Sequence, residues 1–127
     1  MGTMAYATLG SNQLETAKGF YDALMAQAGI PALFDHPSGG RVYGQDDVPN
    51  FAILGPFDGQ QATVGNGVMI SFSFNTRAEV DDFHTKALAL GGVTEGDPGV
   101  RGPNWYFSYF RDLDGNKLCA FCMGDQG

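Results

Sequence analysis

Few side chains in this sequence could do chemistry, and their spacing narrows what that chemistry would be. Cys119 and Cys122 are the only thiols, and His36 and His84 the only imidazoles. Cys119 reads in two ways: as a small buried hydrophobe, or as a nucleophile whose thiolate a nearby Arg111 would stabilise. No histidine stands where it would serve as the base. Tyr6 and Tyr109 offer hydroxyls that either orient a ligand or act as general acids. A metal site would need both histidines to converge, yet His84 falls on a helix and His36 near a turn, so both are expected to be exposed or capping. Asp46-Asp47 and Asp81-Asp82 lack the glycine-centred loop of a calcium site and read as solvated faces. Gly39-Gly40 and Gly65-Asn66-Gly67 do not lead from a strand into a helix, so they are turns rather than phosphate cradles. Arg101, in the turn-rich stretch 97–103, is either a partner for an anionic ligand or a plain surface arginine.

Two helices and several strands must hold these residues. Leu14, Ala17, Phe20, Tyr21, Leu24 and Ala28 form an apolar stripe at helical spacing, with Asn12 as N-cap, Glu15 three residues on and Gly29 as the stop. Val80, Phe83, Ala87, Leu88 and Leu90 repeat the plan, capped by Asn75 or Thr76 and ended by Gly91-Gly92. Strands are expected over 4–10 and 68–74, each before a helix, then over 32–36, 41–44 and 51–54, and over 92–94, 105–111 and 117–122. Adding 63 to a position carries Tyr6 onto Met69, Phe20 onto Phe83 and Gly29 onto Gly92. The chain therefore reads as an α+β domain spanning 1–127, made of paired βαβββ modules at roughly 4–55 and 67–123 joined by a turn-rich linker.

Strand parity assigns faces. Val68, Ile70, Phe72 and Phe74 alternate with Met69, Ser71 and Ser73, and the bulky set belongs under the helices. Leu118, Ala120 and Cys122 share one face of the last strand; Lys117, Cys119 and Phe121 share the other. An i,i+3 thiol pair on a strand points to opposite sides, so no Cys119–Cys122 disulfide is expected. Asp114-Gly115 signals a hairpin, and a turn centred near Asp114 sets Tyr109 opposite Cys119. Trp105, Phe107, Tyr109 and Arg111 then line one wall of a cavity.

Three stretches carry a family resemblance: Ala7-Thr8-Leu9-Gly10-Ser11-Asn12-Gln13-Leu14 with Phe20-Tyr21; Arg77-Ala78-Glu79-Val80-Asp81-Asp82-Phe83-His84; and Tyr109-Phe110-Arg111-Asp112-Leu113-Asp114-Gly115-Asn116-Lys117-Leu118. Together they resemble the vicinal oxygen chelate superfamily of glyoxalases, bleomycin-resistance proteins and extradiol dioxygenases. The resemblance implies paired modules curling into a cup-shaped, eight-stranded mixed sheet with two main helices, usually completed in a homodimer. The modules would pair within one chain or by swapping between two. It also implies a divalent metal held by His or Gln on the opening strand, His on the fifth and Glu on the last. Those places hold Tyr6, Met69 and Cys119 here. A phenol, a thioether and a lone thiol are poor ligands for hard divalent ions. The expectation is therefore no metal and no cofactor. The expected ligand-binding set is Tyr6, Met69, Ser71, Trp105, Phe107, Tyr109, Arg111, Cys119 and Phe121, with Cys119, Tyr109 and Arg111 as catalytic candidates.

Composition bounds the partners. The 127 residues carry 14 acidic against 7 basic side chains, a formal net charge of −7, which disfavours nucleic acid and anionic membranes. No apolar run approaches a bilayer span, and the start lacks a secretory or myristoylation signal, so a soluble, reduced, cytoplasmic protein is expected. The leading functional expectation is a metal-independent glyoxalase/bleomycin-resistance-like protein binding a small organic ligand in an aromatic cup, as a homodimer. The alternatives are a metal-dependent lyase related to lactoylglutathione lyase, and a metal-free enzyme using Cys119, Tyr109 or Arg111. Any catalysis would be of glyoxalase-related lyase or isomerase type.

Overall fold

Both apolar stripes fold as helices because each finds a sheet face to cover. In the computed structural model, which describes residues 1–124, the chain divides into two units, Met1–Val64 and a second opening at Gly65. The first runs β1 (Ala7–Gly10), α1 (Leu14–Gln27), β2 (Ala32–Asp35), β3 (Arg41–Gln45) and β4 (Val48–Leu54). The second runs β5 (Ile70–Ser73), α2 (Arg77–Ala89), β6 (Val93–Val100), β7 (Trp105–Arg111) and β8 (Lys117–Met123). The eight strands form two mixed sheets of four, ordered β1-β4-β3-β2 and β5-β8-β7-β6. The repeat is visible in the ladders: Ala7 pairs with Phe51 in parallel as Ile70 pairs with Leu118.

Each helix packs on its own sheet. In the first unit Tyr21 lies 5.0 Å from both Phe20 and Phe51, ring to ring. Fully buried Tyr43 donates its hydroxyl to Asp22 at 2.7 Å, and Arg41 holds Asp22 and Asp35 at 2.6 and 2.8 Å. In the second unit Phe83 meets Phe72, Phe74 and Phe110 at 5.6, 5.0 and 5.8 Å. The bulky face of β5 thus lies under the helix, as its alternation predicts.

Several local expectations need correction. β1 begins at Ala7 rather than residue 4: its ladder partner starts at Phe51, and Pro49, two residues earlier, has no N–H to donate. β4 nevertheless reaches back to Val48, because Pro49 lies past the end of β1 and pairs only with Gly44, at a bulge. Asp46 and Asp47 turn that corner at φ of 53° and 61°, a two-residue hairpin of the primed kind, and both are solvent-exposed, as expected. Asn12 does not cap α1; it exchanges two hydrogen bonds with the backbone of Ala62, at 2.9 and 2.7 Å, leaving Gln13 as N-cap. His84 is only 3 % exposed, against the expected surface position. It takes an inner place because its ring Nε2 meets Thr94 Oγ1 at 3.0 Å and its edge packs on Phe110. Finally, residues 97–100, read as loop, belong to β6. The strand bulges between Thr94 and Gly96 and again between Gly96 and Gly99, which lets it accommodate Pro98.

Candidate functional site

The side of the second sheet turned away from α2 is built by one register. β7 and β8 pair Tyr109 with Cys119 and Phe107 with Phe121, and β5 adds Ser71 beside Cys119 and Ser73 beside Phe121. The turn that sets this register is tied internally: the buried Asp112 carboxylate accepts from the backbone N–H groups of Asp114 and Asn116, both at 2.9 Å. The spacing of the Asp-Gly signal therefore placed Tyr109 and Cys119 correctly. Trp105, Phe107 and Tyr109 follow one another along β7, with ring centroids 6.3 and 6.0 Å apart, and Phe121 stacks on Phe107 at 5.3 Å. Trp105 is 44 % exposed, whereas Phe107, Tyr109 and Phe121 are half-buried.

Cys119 lies fully buried on this face. Burial pushes its thiol above the ordinary value, and a hydrogen bond with Ser71 and the charges of Arg101 and Lys117 draw it back only in part. Cys122, on the helix side, is also free, buried and raised by burial. Tyr109 is raised by burial and by the neighbouring Cys119, so its phenol is a neutral donor at physiological pH.

The cations divide differently from the sequence expectation. Arg111 is engaged by Glu95 through Nε and Nη2, and its Nη1 donates to Gly115 O at 3.0 Å. The guanidinium over the Tyr109 ring belongs instead to Arg101, 5.3 Å from the centroid, and Lys117 Nζ lies over the same ring at 5.3 Å. Gly96 makes this possible: a Cβ there would stand 3.0 Å from Tyr109 Cδ2 and 3.2 Å from Arg101 Nη2. Lys117 was absent from the expected site although its parity with Cys119 was legible. Arg101 reads from sequence as either an anion partner or a surface residue, and its place over Tyr109 needed the two bulges of β6, which no sequence pattern marks.

The remaining expected residues are placed as follows. Met69 precedes β5 and is 40 % exposed; Ser71 is exposed on β5. Tyr6 belongs to the first unit, where it lines a cavity of about 310 Å³ with Thr8, Phe34, His36, Val42 and Leu54 among its other walls. Those five were not expected in a site, though Thr8 shares a strand face with Tyr6. His36 is held beside its turn by Ser38, whose Oγ lies 2.9 Å from Nδ1. Among the described residues, no three His, Cys, Asp or Glu side chains gather as a metal site.

A glyoxalase/bleomycin resistance protein from Albidiferax ferrireducens T118 is 38 % identical, covers 95 % of this chain and 98 % of its own, and superposes with a TM-score of 0.86. The chain belongs to the glyoxalase/bleomycin resistance protein family. More distant family folds include a lactoylglutathione lyase from Agrobacterium tumefaciens, 19 % identical over 96 % of this chain and 94 % of its own, TM-score 0.68. The fosfomycin resistance protein FosX from Listeria monocytogenes is 16 % identical over 96 % of this chain and 93 % of its own, TM-score 0.70. No protein-family model and no curated protein sequence matches the chain. Against the metal that the superfamily resemblance implies, the donors here fit poorly. The residue at the acidic ligand's place is a buried thiol raised by its burial, and the others are an exposed phenol and an exposed thioether.

Proposed function

We propose that this glyoxalase/bleomycin resistance family protein binds a small, flat organic ligand on the aromatic face of its second unit, without a metal. The observation that carries the reading is Cys119. It stands at the place the resemblance gives to an acidic metal ligand, with Tyr109 and Ser71 as its cross-strand partners on a face that Phe107 and Phe121 extend with ring surface. Stacked rings offer area for a planar ligand at low entropic cost, and the neutral Tyr109 hydroxyl supplies an orienting hydrogen bond. Binding is favoured over nucleophilic catalysis because burial suppresses the Cys119 thiolate and Arg111 is committed to Glu95. Elemental analysis of untagged protein tests the metal part. Zn, Ni, Mn and Fe are expected well below one per chain. One metal per chain, lost in Cys119→Ala, would overturn it.

The proposal extends to a two-fold homodimer in a reducing cytoplasm. Both edge strands away from β1 and β5 carry exposed apolar side chains, Phe34 on β2 and Val93 and Val100 on β6, 55 %, 63 % and 58 % exposed. Both thiols are free, which suits a reducing compartment. Among the described residues, no helix is long and apolar enough to cross a membrane. Sedimentation at micromolar concentration should give twice the chain mass; a monomer would contradict the dimer.

A further inference from the structure

We infer that the ligand of this face is an anion, bound between Arg101 and Lys117 over the Tyr109 ring. The inference rests on the ligand-binding reading above and adds the charge class of what is bound.

The argument begins with where positive charge goes in an acidic chain. Formal net charge is −7, so carboxylates are plentiful: Lys18 and Arg111 each hold one and Arg41 holds two. Arg101 and Lys117 hold none within ion-pair distance among the described residues, yet both converge on one ring, Arg101 from just past the end of β6 and Lys117 from the start of β8. Lys117 exerts a small pull on Glu95, but that carboxylate is already held by Arg111.

Arg101 is also pre-set. Its Nη1 donates to Gly99 O at 3.2 Å and to Phe107 O, and its Nη2 to Asp97 O at 2.7 Å. Backbone carbonyls orient a guanidinium without cancelling its charge. Nε–H and one Nη2–H are left without a partner among the described residues. The one carboxylate on the same bulge, Asp97, is turned to Thr94 Oγ1 at 3.1 Å and to His84 Nε2 at 3.7 Å, away from the guanidinium. A fixed, un-neutralised arginine, a half-buried lysine and a neutral phenol donor beside stacked rings suit a carboxylate, sulfonate or phosphate on a flat apolar body.

The probes are 1-naphthoate and its neutral isostere 1-naphthamide, titrated into the full chain and followed by calorimetry and by the emission of Trp105, the only tryptophan. Naphthoate should bind at least tenfold more tightly, and only its affinity should fall as salt rises. Lys117→Gln should reduce the preference about threefold, a change at a half-buried side chain whose ammonium lies over the ring. Arg101→Gln should remove most of the rest. Equal affinity for the two probes, or a preference unchanged in both variants, would overturn the inference while leaving the aromatic site standing. Binding of neither probe, or binding of both unchanged in Phe121→Ala, would overturn the ligand-binding reading itself and the inference with it.

Discussion

At positions matched by the two sheet registers, the first unit carries Thr8, Ala52 and Val42 where the second carries Ser71, Cys119 and Tyr109. On the helix side the matched positions remain bulky and apolar: Leu9 and Phe72, Phe51 and Leu118, Tyr43 and Phe110. The contrast separates two demands on one fold. Packing against a helix fixes the chemistry of one face in both units, whereas the other face is free to differ. In the first unit that face lines a largely apolar cavity, with Val42, Ala52 and Leu54 beside Tyr6, Phe34 and His36. In the second it is a row of rings under two cations. Charge follows the same division. Arg41 lies on the helix side and is neutralised twice, while Arg101 and Lys117 lie on the open face and have no ion pair among the described residues.

If the helix side is where both units obtain their stability, the largest effect should come from its most enclosed ring. Phe83 is fully buried and touches Phe72, Phe74 and Phe110. Phe83→Ala should cost about 3–5 kcal/mol, read from the shift of the urea midpoint at unchanged slope. Its counterpart by the 63-residue offset, Phe20, shows ring contact with Tyr21 alone, so Phe20→Ala should cost less. A cost below about 1 kcal/mol for Phe83→Ala would mean that the cavity collapses and that the second core is not the tighter one.

The next difference is polar. The same offset carries Tyr21 onto His84: one buried phenol, one buried imidazole. Burial holds the His84 value below the ordinary one, against the pull of Asp97 and Asp81 and with the help of Arg101. The unfolded chain therefore binds a proton on His84 at a pH where the folded chain does not. That contribution to stability is complete above the ordinary histidine value of about 6.5 and is lost as pH falls toward the lower folded value. Wild type should lose stability between pH 7 and pH 5, and His84→Tyr, which borrows the first unit's residue, should lose less. Parallel declines in the two proteins would show that His84 does not titrate differently on folding.

Much of this was legible beforehand because period and parity act locally. The strand faces of β5 and β8 follow from alternation, and the Tyr109–Cys119 pairing from one Asp-Gly turn. What was not legible depended on partners distant in sequence. His84 is buried because Thr94 reaches it across the α2–β6 contact, and Asn12 is diverted from capping by the backbone of Ala62, 50 residues away. The place of Arg101 over the Tyr109 ring escaped for a related reason, although the residue itself reads from sequence as one that could meet an anion. A Gly- and Pro-rich stretch reads as loop unless a neighbouring strand holds it, and β7 holds it here through two bulges. The site face was thus readable where single strands decide it and obscure where β6 completes it.

The smallest expected effect concerns the two helix starts, which the 63-residue offset also superposes: Gln13 on Thr76 and Thr16 on Glu79. α2 opens with a full capping box, Thr76 Oγ1 accepting from Glu79 N at 3.1 Å while Glu79 Oε1 accepts from Thr76 N at 3.0 Å. α1 has no side-chain cap. Thr76→Ala should cost about 1 kcal/mol. The reverse graft, Gln13→Thr with Thr16→Glu, should gain less, no more than about 0.5 kcal/mol. The reason is in the backbone: Thr76 has the extended ψ of 156° that aims a side chain at the first turn, whereas Gln13 sits at ψ 63°. Its N–H is moreover already accepted by Ser11 Oγ at 3.0 Å. The graft must rotate Gln13 and release that bond before the new cap forms, so part of the capping energy offsets the change. Thermal melts of the two variants measure the asymmetry. A gain from the graft equal to the loss at Thr76 would show that the backbone at Gln13 turns freely and that only the missing side chains distinguish the two starts.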